Sequence, residues 1–261
     1  MALCEVHWSS AVLAKKVGMY VILPEPAAGP PPYATFYLLH GLSDDYTVWL
    51  RRTRIEWYVR DLPLIVVMPD GFRGFYTDNA DGPAYARHMA EELPEFVERH
   101  FPAQRSRAGR CVGGLSMGGY GALRLALGYP DRYASANSHS GAVIHSHRNA
   151  PRPNGPLSPA EFRRIFGEHP EGSEHDLLAL AQRVQASGSS LPQMLIDCGT
   201  EDVLIDDNRT FHRALRQMNV PHEYREFPGA HEWDYWDQHV QDALAFHANV
   251  LGLDATEADR R

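Results

Sequence analysis

Gly114-Leu115-Ser116-Met117-Gly118 reads G-x-S-x-G, set between a short apolar run, Cys111-Val112, and a small-residue helical pattern from Gly119 to Leu127. A serine in that setting fits a nucleophile elbow, a sharp strand-to-helix turn that lifts its hydroxyl above a sheet. Such a turn leaves no room for side chains beside it, and Gly113, Gly114, Gly118, Gly119 and Gly121 all surround Ser116. The bland alternative is a glycine-rich turn with a surface serine. Strand before and helix after argue against it.

Working outward, the chain alternates between strand and helix patterns. Strand-like runs open it at Cys4–Ser9 and Val17–Leu23, and the proline-rich stretch Pro24 to Pro32 reads as a surface connection. Tyr33–His40 and Leu64–Met68 are continuous apolar runs, the pattern of strands buried on both faces. Val48, Ile55, Trp57 and Val59 suggest a helical connection between them, and Ala84 to Phe101 a second helix. Beyond the elbow, strands are expected at Tyr133–Ser138, Gln193–Cys198 and Glu223–Phe227. Helices are expected over Asp207–Met218 and around Trp236, Val240, Leu244 and Val250. This rhythm predicts an α/β fold, with a mostly parallel sheet covered by helices on both faces.

One segment, 142–190, breaks the rhythm: about fifty residues without a strand pattern, opening on a Pro/Asn/Gly-rich piece (Ala150–Pro159). It follows the strand after the elbow, so a cap-like insertion over the carboxyl ends of the strands is expected. The sequence thus reads as one domain over 1–253 carrying that insertion, with a polar, frayed tail at 254–261.

Composition bounds the partners. A net charge of −8 argues against nucleic acid or an anionic membrane surface, both of which call for clustered cations. Leu62 to Met68, among the longest apolar runs, is strand-sized, and Met1 to Glu5 carries neither the basic nor the apolar region of a signal peptide. Cys4, Cys111 and Cys198 are too few and too far apart for a disulfide framework, so a cytoplasmic location is expected. Among the 14 histidines, His139, His145 and His147 cluster loosely, but no metal-ligand motif accompanies them, and neither a metal nor another cofactor is expected.

A serine hydroxyl needs a base, and the base needs an orienting acid. Where an elbow carries the serine, acid and histidine follow it in that chain order. Asp202 comes after the strand Gln193–Cys198 and the turn Gly199-Thr200-Glu201; His231 follows the next strand in the turn Pro228-Gly229-Ala230. Glu201, Asp206 and Asp207 are nearby rivals to Asp202, with Asp207 reading better as a helix N-cap. Asp197 lies within the strand. The oxyanion of a tetrahedral intermediate needs two backbone donors. Met117, after the serine, offers one, and Leu42 in His40-Gly41-Leu42-Ser43 the other, with His40 read as a holder of that loop. Trp49, Tyr76, Tyr120, Trp233 and Trp236 are candidate pocket walls, weighed against plain core positions.

With these residues placed, the chain resembles the esterase D / S-formylglutathione hydrolase-type serine esterases, and within them the bacterial tributyrin esterases. The resemblance spans nearly the whole chain. Its specific points are Leu38–Ser43, Val66–Gly71, Ala90–Pro94, Gly114–Gly121 and His231–Trp236. It implies an α/β-hydrolase fold, the triad Ser116/Asp202/His231, oxyanion donors Leu42 and Met117, and short-chain acyl esters as small-molecule substrates; it is also compatible with a homo-oligomer. The S-formylglutathione hydrolases usually carry a cysteine soon after the oxyanion loop, where this chain has Asp44-Asp45. Mycolyltransferase relatives are secreted, and no export signal is read here. Feruloyl and acetylxylan esterases of the same group remain open, as do acyl transfer to an alcohol and a silent binding protein on the same fold.

Overall fold

The computed structural model describes residues 1–253; the expected polar tail at 254–261 lies outside the described residues. Among the described residues one eight-stranded sheet runs in the order β1-β2-β4-β3-β5-β6-β7-β8. The strands are β1 (Ala2–Ser10), β2 (Lys15–Leu23), β3 (Ala34–Leu39), β4 (Leu64–Pro69), β5 (Arg110–Leu115), β6 (Ser135–His139), β7 (Gln193–Gly199) and β8 (Glu223–Phe227). β1 and β2 form an antiparallel edge, and β4 through β8 are parallel to β3 and to one another. This is the α/β-hydrolase architecture.

β3 and β4 are buried throughout, and apolar apart from Thr35, because both their faces are covered. In β3, Tyr37 and Leu39 enter one core layer and Phe36 and Leu38 the other, as alternation along a strand requires. The first layer is filled by α4 (Leu93–His100), α5 (Met117–Gly128), α7 (Leu177–Ser187) and α8 (Ile205–Gln217). Across the sheet pack α1 (Val48–Arg52), α2 (Ile55–Val59) and α9 (Trp233–Leu251). The remaining helices are α3 (Tyr85–Arg87) and α6 (Pro159–Phe166).

Three local expectations shift. The single helix expected over Ala84–Phe101 is interrupted by a π turn at His88–Glu92. Pro94 lacks an N–H and its ring crowds the carbonyl one turn back, so a widened turn just before it relieves the clash. Asp207 is not an N-cap. α8 begins two residues earlier, because the Asp202 carbonyl accepts the Ile205 N–H (3.1 Å) and its Oδ1 accepts the Leu204 N–H (2.7 Å). In β6, pairing runs over Ser135–His139, while Tyr133 is buried and donates its hydroxyl to the Met89 carbonyl (3.2 Å).

Segment 142–190 divides in two. Ala142, His145, Arg152, Gly155, Pro156 and Leu157 line a cavity above the sheet. Farther on, α7 buries Leu177, Leu180 and Ala181 in the first core layer. Local signals start both of its helices: the Ser158 hydroxyl accepts the Glu161 N–H (3.1 Å), with Pro159 in the first turn, and Asp176 caps α7 through the Leu178 N–H (3.0 Å).

The elbow glycines are steric necessities. A Cβ on Gly118 would stand 2.5 Å from the Leu39 carbonyl oxygen and 2.7 Å from that of His40, both backbone atoms that cannot swing aside. Gly118→Ala is therefore expected to lower unfolding free energy by about 1–3 kcal/mol, read in urea. Gly128→Ala, which meets only the movable tip of Arg124 at 3.0 Å, should stay near wild type. Equal stability of the two variants would contradict the close approach.

Candidate active site

β5 ends at Leu115, and the next residue, Ser116, adopts φ 53° and ψ −113° before α5 begins. That conformation is costly for a residue with a Cβ and persists because the backbone is clamped. The Ser116 N–H donates to the His139 carbonyl (2.9 Å), and its carbonyl accepts from Tyr120 (3.0 Å) and Ala142 (3.1 Å). Ser43, Phe75, Tyr76 and Ser140 also take positive φ, so strained backbone gathers around this corner of the fold.

His231 Nε2 lies 3.0 Å from Ser116 Oγ, and its Nδ1 lies 2.9 Å from Asp202 Oδ2 and 3.1 Å from Oδ1. An ionised carboxylate only accepts, so Nδ1 carries the proton and Nε2 is free to accept from the serine hydroxyl. Burial alone would raise the Asp202 carboxyl. The hydrogen bond and charge of His231, together with the Leu204 N–H, outweigh it and hold the group below its ordinary value.

Each rival acid has another task. Glu201 accepts the Gly229 N–H (2.6 Å) and the Thr200 hydroxyl (2.8 Å), tying the acid loop to the histidine loop. Asp197 holds His139 Nδ1 (2.7 Å) and the Tyr235 hydroxyl (2.9 Å) inside the sheet. Asp206 is exposed near Arg209, and Asp207 pairs with Arg148.

The loop after β3 is fixed by His40. Its Nδ1–H donates to the Gly41 carbonyl (2.7 Å), Nε2 accepts the Gly71 N–H (2.9 Å), and the Tyr76 hydroxyl donates to the His40 carbonyl (3.0 Å). Arg73, absent from the sequence reading, braces the next residue. It donates to Ser43 Oγ (2.6 Å), to both oxygens of Glu161 (2.6 and 2.9 Å) and to the Pro156 carbonyl (3.2 Å). One guanidinium fork thus joins the loop after β3 to the start of α6. Among the described residues, the backbone N–H groups of Leu42 and Met117 meet no acceptor, and both residues line the cavity that holds Ser116 and His231.

That cavity measures about 130 Å³ and is mostly apolar, walled by Leu42, Phe75, Leu157, Val203 and Leu204, with His145 and Arg152 as further polar members. The aromatic candidates lie outside this lining. Trp49 is buried and donates its indole N–H to the Leu39 carbonyl (3.1 Å); Tyr120 donates to the His175 carbonyl (2.7 Å); Tyr76 supports the His40 backbone. Trp233 packs edge-on against Trp49 and Trp236. All were legible as aromatics near loops, but burial rather than type decides which reach a cavity. The apolar walls, Phe75 and Met117 excepted, are small or aliphatic residues with no signature.

The loosely clustered histidines separate: His139 pairs with Asp197, His147 lies 3.0 Å from Asp176, and His145 faces the cavity. Among the described residues, no group of three or more His, Cys, Asp or Glu side chains could hold a metal ion. No described helix is long and apolar enough to cross a membrane.

The profile of the family described as "Putative esterase" matches residues 10–247. The chain belongs to this esterase family. The esterase is 30% identical over 264 residues to an acetyl esterase of Caldicellulosiruptor saccharolyticus, an alignment covering 96% of this chain and 99% of the relative. Its fold superposes on the Staphylococcus aureus fluorophosphonate-binding serine hydrolase FphF with a TM-score of 0.87 at 31% identity, covering 95% of this chain and 98% of that one. The S. aureus S-formylglutathione hydrolase FrmB gives 0.85, also at 31% identity, over 95% and 99% of the two chains. The esterase is accordingly a serine ester hydrolase of the esterase D / S-formylglutathione hydrolase-like group.

Proposed function

We propose that this esterase hydrolyses short-chain acyl esters through an acyl-enzyme on Ser116. The observation that carries the reading is the unbroken hydrogen-bonded line Ser116–His231–Asp202, at 3.0 and 2.9 Å. His231 Nε2 takes the hydroxyl proton as Oγ attacks the ester carbonyl. The N–H groups of Leu42 and Met117 hold the oxyanion, and Asp202 stabilises the imidazolium. Collapse expels the alcohol, which leaves with the proton from His231. Water, deprotonated by the same nitrogen, then attacks the acyl-enzyme and releases the carboxylic acid.

A cavity of about 130 Å³ approaches the roughly 150 Å³ that accommodates a benzene-sized guest, which supports an acyl chain of a few carbons. The free cysteines Cys4, Cys111 and Cys198 support a reducing, cytoplasmic setting. Across p-nitrophenyl esters from acetate to laurate, kcat/KM is expected to peak between acetate and butyrate. It should fall by at least about tenfold at laurate, since longer chains must leave the cavity. A maximum at laurate, or activity confined to S-formylglutathione or methyl ferulate assayed alongside, would overturn the acyl-chain reading.

A further inference from the structure

Arg152 lines the cavity beside Ser116, is half-buried, and among the described residues meets no carboxylate or other acceptor. The two neighbouring arginines differ: Arg73 is forked onto Glu161, and Arg148 is paired with Asp207. Among the described residues, no aspartate or glutamate lines the cavity, although the chain as a whole carries a net charge of −8. The other polar side chain there outside the Ser116–His231 pair, His145, is mostly buried; neither ring nitrogen makes a hydrogen bond, and Nε2 lies 3.7 Å from Asp207 Oδ2, beyond hydrogen-bond reach. Burial pushes the His145 pKa down, with Asp207 opposing and the Arg148 and Arg152 cations adding to the fall. Its ring is therefore neutral near pH 7 and offers one N–H and one lone pair.

A half-buried guanidinium without a counter-ion is a ready anion site, and a buried imidazole whose ring nitrogens make no hydrogen bond is an unfavourable arrangement. They line the same cavity, whose other members apart from Ser116 and His231 are apolar or glycine. An incoming carboxylate would satisfy both, taking a two-pronged contact from Arg152 and the N–H of His145.

We propose that the substrate of this site is an ester bearing a carboxylate a few bonds from the scissile carbonyl, recognised by Arg152 and His145. The inference rests on the reading of Ser116 as the nucleophile, and it names the substrate class of that same site. Two sources of the carboxylate are chemically equivalent at the guanidinium: the acid half of the ester, as in a dicarboxylic half-ester, or the alcohol half, as in an acylated hydroxy acid.

The test compares anionic esters with neutral isosteres by pH-stat. Monoethyl succinate is paired with ethyl 4-methylpentanoate for the acid half, and 3-acetoxypropionate with 3-methylbutyl acetate for the alcohol half. Wild type, Arg152→Gln and Arg152→Lys are assayed, with fluorophosphonate labelling of Ser116 as the check on an intact site. In at least one pair the anionic-to-neutral ratio of kcat/KM is expected to fall about tenfold or more in Arg152→Gln, the size of one lost charge-assisted contact. Arg152→Lys, keeping the charge but not the fork, should recover part of it, and the responding pair identifies which half carries the carboxylate. Ratios unchanged by Arg152→Gln in both pairs, with neutral esters still hydrolysed, would show a guanidinium that merely reaches into solvent and would overturn the proposal alone. Failure to hydrolyse any of the four esters, with no labelling, would overturn the reading of Ser116 as well.

Discussion

Ser116→Ala is expected to lower kcat on a short-chain ester by about four to six orders of magnitude, while the thermal midpoint moves by no more than a few degrees. In the proposed mechanism the chemistry loses its attacking atom, and His231 alone cannot supply one. Residual hydrolysis above the uncatalysed rate should persist, because the Leu42 and Met117 N–H groups and the cavity still favour the tetrahedral geometry. Stability is spared because alanine keeps the Cβ, so the backbone at φ 53° is no more strained than before. Among the described residues, the only side-chain hydrogen bond removed is the one to His231 Nε2. Steady-state kinetics together with a melting curve check both halves. An alanine variant within tenfold of wild type would end the assignment of Ser116 as nucleophile.

Asp202→Asn is expected to reduce kcat by roughly 10⁴-fold with the fold again intact. The two carboxylate oxygens do different work. Oδ1 accepts the Leu204 N–H (2.7 Å), which an asparagine carbonyl can keep, and lies 3.1 Å from His231 Nδ1, whereas Oδ2 makes the shorter contact to Nδ1 (2.9 Å). With the carbonyl retained by Leu204, the amide NH₂ is turned towards Nδ1. It would hold the imidazole with its proton on Nε2, the tautomer that cannot accept from Ser116. The loss therefore comes from a misplaced proton rather than from a collapsed loop. It should be accompanied by much slower fluorophosphonate labelling of Ser116. If Asp202→Asn retained kcat within tenfold, an acid such as Glu201 would have to orient His231, although that carboxylate holds the Gly229 N–H in this structure.

The elbow and the two loops carrying Asp202 and His231 were legible because each is announced locally: glycines packed around a serine, a carboxylate after a buried strand, a histidine in a Pro-Gly-Ala turn before the last helix. Choosing Asp202 over Glu201 was less secure from sequence, since both occupy the same turn. The contact that separates them is the closeness of two loops whose residues are far apart in the chain. A Cβ on Gly199 would lie 2.1 Å from the Gly229 carbonyl oxygen, and that pairing sends Glu201 to the backbone and Asp202 to the ring. The misplaced N-cap at Asp207 and the unforeseen π turn before Pro94 have a common origin. Local patterns predict where a helix can exist, but neighbouring hydrogen bonds and steric crowding set where it begins and how it turns.

By itself the sequence determined the alternating strand–helix order, the elbow and the residue types of the Ser–acid–His set, because apolar periodicity and glycine sterics act over a few residues. Only the tertiary structure decided what surrounds Ser116. Phe75, His145, Arg152, Val203 and Leu204 come from the three segments after β4, β6 and β7 with no shared motif, and the aromatic residues read as cavity walls are taken up elsewhere, largely in the core. Which side chains face a cavity depends on how loops converge over the carboxyl ends of the strands, and that convergence is a long-range property the local pattern does not encode.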